Sequence, residues 1–250
     1  MFWSKLLRFF SEDIAMDLGT ANTLLYTRDG GIIVNEPSVV AIDTRNNEVL
    51  AVGSEAKRAR GRTPKRIKTI RPMKSGVIAD FDTTSRMIVY FVNKAIGRSH
   101  LVKPSLVISV PTGITGVEKK AVIDAAATAG AGRVSLIEEP MAAAIGADLP
   151  VTEPVGTLIA DIGGGTSEVA VITMSAITVS QSIRIAGDAM NEILLRMLRD
   201  KYRLDVGENT AEHLKILLGS TQPVPDLPDY AEISGRDLVS GVPMTKKVTS

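Results

Sequence analysis

Residues 158–172, LIADIGGGTSEVAVI, restrict the fold more than any other stretch of the chain. An apolar run stops at one acid, Asp161, passes through Gly163, Gly164 and Gly165 to Thr166, and then resumes with β-branched residues. That order reads as a strand, a tight turn and a returning strand. Leu158, Ile159 and Ala160 suit a buried strand, and Val169 to Ile172 restores the strand signal after the turn. Consecutive glycines let backbone approach a ligand closely and aim several N–H groups into one concavity, which suits phosphate oxygens. Asp161 ends the strand beside that concavity, where its carboxylate would repel phosphate unless a divalent cation lay between them. The position therefore implies Mg²⁺, held partly through waters. A Walker A loop needs a lysine and a following helix, and the Rossmann fingerprint also needs a helix after its glycines. Here a strand follows, and both loops are set aside. A glycine-rich hairpin with an incidental acid fits the same residues, so the turn alone leaves two readings open.

The device recurs earlier in the chain. In IAMDLGTANTLLYT, residues 14–27, an apolar strand ends in Asp17, Gly19 turns, Thr20, Ala21 and Asn22 follow, and Leu24 to Thr27 returns as a strand. Asp17-Leu18-Gly19 matches Asp161-Ile162-Gly163, and two copies imply two similar halves facing each other. Between them, SLVISVP at 105–111, an Ala-rich helix at 116–129 and VSLIE at 134–138 form a βαβ unit, so the sheet is at least partly parallel. The next segment, EEPMAAAIGA at 138–147, places Pro140 in the first turn of a helix and directs Glu139 into the crevice at the strand ends. A carboxylate there can orient or deprotonate a water for attack on a γ-phosphate. Acids that merely stabilise a helix N-terminus account for the same spacing.

Composition narrows the remaining classes. With 250 residues, 44% of them hydrophobic, the chain can build one large or two medium cores. It has no cysteine, which removes disulfides, thiol catalysis and Cys-ligated zinc and fits a reducing cytosol. The two histidines, His100 and His213, are scattered, against a histidine metal site or a Ser-His-Asp triad. A net charge of +1 gives no overall pull toward nucleic acid, and none is expected as a partner. Nine basic residues lie between Lys57 and Lys74 with no acid or aromatic among them. A solvated face is the first explanation, and subunit contact or attraction to anionic lipid the second.

The ends and linkers carry weaker signals. In MFWSKLLRFFSED, Phe2, Trp3, Leu6, Leu7, Phe9 and Phe10 fall on one arc of a helix while Ser4, Lys5, Arg8 and Ser11 fall on the other, as in an interfacial membrane anchor. A terminal helix packed on its own domain is the bland alternative. Leu101 and Val102 form an apolar pair in a loop that could join this helix at the membrane or be partly buried. No apolar run reaches the roughly 18 residues of a membrane-spanning helix. Residues 82–96 suit a helix capped by Asp82 or Thr83, and residues 177–185 a strand. A helix from Gly187-Asp188 to about Tyr202 carries Met190, Ile193, Leu194, Met197 and Leu198 on its apolar face. Asn209 and Glu212 stand at capping-box spacing before a helix at 210–218; Glu212 and Lys215 could instead face a ribose and base across a cleft.

IAMDLGTANT, EEPMAAAIG and IADIGGGTSEVAV occur in the order of the phosphate-1, connect-1 and phosphate-2 motifs of the actin, heat-shock chaperone and sugar kinase superfamily. With NEPSVVAI at 35–42, GRTP at 61–64, IRPMKSGVIADF at 70–81 and SGRDLVSGVP at 234–243, the chain resembles the MreB family of bacterial actin homologues along essentially its whole length. The resemblance implies an α/β, actin-like (ribonuclease H-like) duplicated fold, with ATP and Mg²⁺ in a cleft between two halves, the second incomplete. Its subdomains would be IA at 1–40 and 74–152, IB at 41–73, a partial IIA at 153–189 and IIB at 190–250. Asp17 and Asp161 would join the metal shell. Gly19, Thr20, Ala21 and Asn22 would form one phosphate hairpin, and Gly163, Gly164, Gly165 and Thr166 the other. Glu139, with Thr166 nearby, would position the attacking water; Glu212 and Lys215 would contact the nucleoside. The family role implied is a self-assembling filament on the inner face of the cytoplasmic membrane. It would act with cell-wall elongation machinery such as MreC, MreD and RodZ to maintain rod shape.

The family pattern also implies roughly a hundred further residues with another glycine-rich turn, the adenosine motif. After Gly165 every glycine here is isolated, so that motif is missing. A half-built subdomain would expose apolar surface and strand edges. Two other classes stay open: a soluble chaperone or sugar kinase of the superfamily, and a non-catalytic scaffold that keeps lipid and subunit contacts.

Overall fold

Five strands in the order β10-β9-β1-β2-β3 make the largest sheet of the computed structural model, which describes residues 13–59, 66–96, 103–222, 224, 225 and 227–249. β1 (Asp13–Leu18), β2 (Asn22–Thr27) and β3 (Gly31–Pro37) form an antiparallel meander, whereas β9 (Ser105–Val110) and β10 (Arg133–Glu138) lie parallel to β1 on its other side. Ile14, Met16 and Leu18 alternate with more exposed residues along β1 and are buried against α2 (Phe81–Ile96) and α3 (Gly116–Thr128). This alternation is what one covered sheet face requires. The same core takes Met87, Ile88 and Phe91 from α2 and Val122, Ala125 and Ala126 from α3. Asp80, not Asp82 or Thr83, caps α2: its Oδ1 accepts from Thr83 N at 3.0 Å, so the helix starts one residue earlier than its sequence suggests. Thr115 and Glu118 form a full capping box at the start of α3.

A smaller sheet, β5-β4-β6, joins β4 (Val40–Asp43), β5 (Val49–Val52) and β6 (Ile67–Ile70) beside α1 (Ser54–Ala59), with Val39, Ala41 and Ala56 as its core. β7 (Met73–Lys74) and β8 (Val77–Ile78) form a two-stranded hairpin. After β10, α4 (Glu139–Gly146) leads to β11 (Thr157–Ile162), β12 (Ser167–Thr173) and β13 (Ala176–Ile183), an antiparallel three-stranded sheet. It repeats the β1-β2-β3 meander. Among the described residues, nothing pairs with β11 on its other edge as β9 does with β1.

That difference overturns the reading of Leu158, Ile159 and Ala160 as a buried strand. The strand is present, but Leu158 is 67% and Ile162 68% exposed, because only the opposite sheet face packs on α4 and buries Ala170 and Ile172. The expected exposure of apolar surface in the second half is thus visible in its sheet.

Contacts divide the chain into two compact units, the first ending at Ile185 and the second starting at Ala186. The second contains α5 (Gly187–Tyr202), β14 (Leu204–Asp205), α6 (Glu208–Leu218), β15 (Tyr230–Asp237) and β16 (Pro243–Thr249), with Leu198, Leu204, Leu214 and Ile233 in its core. On α5, Leu198 is fully buried while Met190 and Ile193 are exposed, so the apolar stripe is only partly used. α6 begins at Glu208 behind Gly207 with no side-chain cap, so the Asn209–Glu212 spacing is not a capping box. Among the described residues no helix is long and apolar enough to cross a membrane. Phe2, Trp3, Leu6, Leu7, Phe9, Phe10, Leu101, Val102 and the GRTP segment lie outside the described residues.

Candidate functional site

Two hairpin turns from two sheets meet at one cavity. The β1-β2 turn is held open by its surroundings: Ser38 donates through Oγ to Gly19 O at 2.7 Å and through N to Ala21 O at 2.9 Å. In the β11-β12 turn, Gly163 N donates to Thr166 O at 2.9 Å, closing a loop of small residues. Close approach, rather than unusual dihedrals, explains the glycines. A Cβ on Gly164 would stand 2.6 Å from Ala21 Cβ, and one on Gly165 2.5 Å from Thr20 Oγ1. Real atoms do not come so near, so any side chain there would push the turns apart.

A third element completes the wall. The β7-β8 turn places Ser75 and Gly76 at φ of 51° and 77°, and Gly76 N donates to Thr20 Oγ1 at 2.9 Å. From the basic stretch, Arg71 donates through Nη2 to Thr20 O at 3.3 Å, so at least this cation serves the turn and not only a solvated face. Arg66 pairs with Asp43 at 2.8 Å.

The cavity, of about 150 Å³, is lined by Asp17, Gly19, Thr20, Ala21, Asn22, Glu139, Asp161, Gly163, Gly164, Gly165 and Thr166, together with Leu24 and Gly76. Every residue expected at the nucleotide site before Ile185 therefore lines one space. That space is smaller than the roughly 300–1,000 Å³ of pockets for drug-sized ligands and suits the phosphate tail of a nucleotide. A second cavity of about 250 Å³ lies along Ser75, Thr112, Ile114, Thr166, Ser182 and Arg184. Thr166 lines both spaces.

Acid crowding marks the smaller cavity. Asp17 stands at an exposed position of β1, yet desolvation by the neighbouring turns raises its pKa; the bond donated by Ser109 Oγ at 2.9 Å opposes the rise and the charge of Asp161 adds to it. Glu139, at the start of α4 with Pro140 behind it, is pushed up to about 8 by burial first, then by Asp17, Glu168 and Asp161. Among the described residues no three acids or histidines converge closely enough to hold a metal alone. Two aspartates facing one space still fit a hard cation that keeps waters and takes its other ligands from phosphate, the habit of Mg²⁺.

Sequence reasoning missed Gly76, Ser109, Arg71 and Glu168. Glu168 is 1% exposed, sits opposite Asp161 in the hairpin register, and accepts from Thr112 N and Oγ1, both at 3.0 Å. An acid immediately before the apolar run Val169 to Ile172 was its only signal. Glu212 and Lys215 belong to the second unit, one turn apart on α6, where Lys215 Nζ donates to Gly187 O at 3.2 Å.

Paired acid-and-glycine hairpins on repeated meanders, joined through a βαβ unit, define an actin-like fold. The solved structures agree: MreB5 of Spiroplasma citri bound to ADP superposes with a TM-score of 0.89 at 33% identity, covering 96% of this chain and 71% of that one. The same protein bound to AMPPNP superposes equally well, at 34% identity. The chain belongs to the MreB/Mbl family, whose model matches residues 11–250. It is 47% identical over 241 residues to the cell shape-determining protein Mbl of Bacillus cereus, covering 96% of this chain and 72% of the relative. Cell shape-determining protein MreB of Escherichia coli is also 47% identical, over 244 residues, 96% of this chain and 70% of the relative.

Proposed function

We propose that the chain binds ATP with Mg²⁺ between its two glycine turns and hydrolyses it while assembling into a cytoskeletal filament that determines cell shape. The convergence of eleven expected site residues on one cavity carries this reading, and the nucleotides bound by the related MreB5 support its ligand class. The β1-β2 and β11-β12 turns would grip the phosphates with backbone and with the Thr20 and Thr166 hydroxyls. Asp17 and Asp161 would hold Mg²⁺ together with phosphate oxygens, and the ion would supply charge neutralisation for phosphoryl transfer. Glu139 would take a proton from the attacking water, a task open only to its ionised form. Burial first, then Asp17, Glu168 and Asp161, push its pKa up to about 8, so turnover should rise with pH until that group is ionised. Thr166 would orient the same water. By resemblance, Glu212 and Lys215 would face the nucleoside.

Filament formation and a cell-shape role follow from the family. Residues 41–73 would serve as subdomain IB, 1–40 and 74–152 as IA, 153–189 as IIA and 190–250 as IIB. Attachment to the cytoplasmic membrane rests on the segregated apolar arc of Phe2, Trp3, Leu6, Leu7, Phe9 and Phe10, with Leu101 and Val102 alongside. The wall-building partners MreC, MreD and RodZ come from the resemblance alone.

Phosphate release and ATP-dependent sedimentation test the core of the proposal. Glu139→Gln should lower hydrolysis by on the order of a hundredfold or more while ADP still binds. Undiminished turnover in that variant would remove Glu139 from the mechanism. Replacing Trp3 and Phe10 by Glu should release the chain from anionic liposomes without changing nucleotide affinity; continued co-flotation would end the anchor reading.

A further inference from the structure

An acid occupies position 168 where two terms oppose it. Glu168 is 1% exposed, and its neighbours on the same face of β12, Ala170 and Ile172, are 1% and 0% exposed. An apolar side chain would fill the site without the desolvation cost of a carboxyl. Directly across the hairpin stands Asp161, and opposed like charges at the roughly 5 Å of a cross-strand pair destabilise a sheet. The position gains hydrogen bonds from Thr112, in the loop that follows β9. Thr112 N donates to Oε1 at 3.0 Å and to Oε2 at 3.3 Å, and Thr112 Oγ1 donates to Oε1 at 3.0 Å.

Thr112 stands three residues after Ser109, the donor to Asp17 Oδ1. The path from Asp17 through Ser109, Pro111 and Thr112 to Glu168 therefore ends beside Asp161, and every link in it is a covalent bond, a hydrogen bond or a cross-strand neighbour. Pro111 stiffens its middle. A Cβ on Gly76 would lie 2.8 Å from Pro111 Cγ and 2.7 Å from Thr166 Cγ2, so ring, turn and threonine leave no slack. A second tie, Arg184 Nη2 to Glu118 Oε1 at 2.9 Å, joins the segment after β13 to α3 at the surface, where water weakens it.

We infer that Glu168 is a positioning residue: with Thr112 it forms a buried latch that fixes the separation of Asp17 and Asp161, and with it the fit of a divalent cation and phosphate between the two turns. The inference rests on the nucleotide reading above. Glu168 itself touches neither ligand in this account. Its effect passes through the register of β12 and the loop after β9.

The test is the gain in ADP affinity on adding Mg²⁺, taken as the ratio of dissociation constants in EDTA and in Mg²⁺, for the full chain and its variants. Thr112→Val removes the hydroxyl donor and should cut that ratio about tenfold, the loss of one hydrogen bond to a charged group. Affinity in EDTA should stay within about twofold, a split that general loosening of the fold would not produce. Thr112→Ser should restore the ratio. Glu168→Gln should lower it, and the Glu168→Gln/Thr112→Val double variant should fall no further than the worse single, as coupled residues require. An unchanged ratio in Thr112→Val, or losses that add in the double variant, would overturn the latch and leave nucleotide binding intact. A wild-type chain that binds no ADP, or gains nothing from Mg²⁺, would overturn the site reading and the latch together.

Discussion

The two glycine hairpins have one plan and different supports. β1 lies between β2 and β9 and buries Ile14, Met16 and Leu18 at 1%, 1% and 4% exposure. β11 has β12 on one side only, and not one of its residues is buried. Both nevertheless carry their acid and their glycines to the same cavity. Site geometry here is set by the turns and by the ties across them, Gly76 to Thr20 and Thr112 to Glu168, rather than by the depth of sheet behind each. Burial, in contrast, is uneven between the two hairpins, and local opening is expected first around β11 to β13.

Substitutions at matched places sharpen that contrast. Met16→Ala should cost about 2–5 kcal/mol, because it empties a packed core, whereas Leu158→Ala should stay within about 0.5 kcal/mol, as at exposed positions. Urea denaturation of the two variants measures both, and equal losses would break the comparison. Gly165→Val should weaken ADP binding by roughly a hundredfold, since its side chain would meet Thr20 and Ser75. Gly146→Ala, where no atom stands within 4 Å of the added carbon, should leave it unchanged.

Glu139 supplies a pH test of the cavity. Its pKa rises from 4.5 to about 8 on folding, so the folded state holds the proton more tightly. The associated stability is fully present below pH 4.5 and is lost as pH rises through about 8. In EDTA, wild type should therefore lose on the order of 1–2 kcal/mol relative to Glu139→Gln across that window, after allowance for the open side of the cavity. Parallel melting curves for the two chains from pH 5 to pH 9 would contradict it. The smallest effect concerns the uncovered face. Leu158→Lys with Ile162→Lys should change stability by less than about 0.5 kcal/mol and reduce self-association at high concentration; marked unfolding would mean that the face is covered in solution.

The hairpins, the βαβ unit and the approach of Glu139 to the crevice were legible because each depends on local chemistry: an acid at a strand end, glycines in a turn, proline in a first helical turn. Burial of Leu158, Ile159 and Ala160 was not, since an apolar run does not say whether a neighbour covers it. Asn209 and Glu212 had the spacing of a capping box, yet α6 starts at Glu208, two residues earlier than that spacing implies, and leaves the box unused. Asp80 was passed over for Asp82 because both acids stand before the same apolar periodicity. Gly76, Ser109 and Glu168 act across 56, 92 and 56 residues of chain, and no local pattern announces a partner that far away.

The central claim is that the two turns act as one clamp on a nucleotide's phosphates. Titration of Mg-AMPPNP into wild type, Asp17→Ala, Asp161→Ala and the double variant tests it in one experiment. Wild type should bind, each single variant should lose about tenfold or more, and the double variant should be no weaker than the worse single. Additive losses, or full affinity without either acid, would show that the turns do not share a ligand.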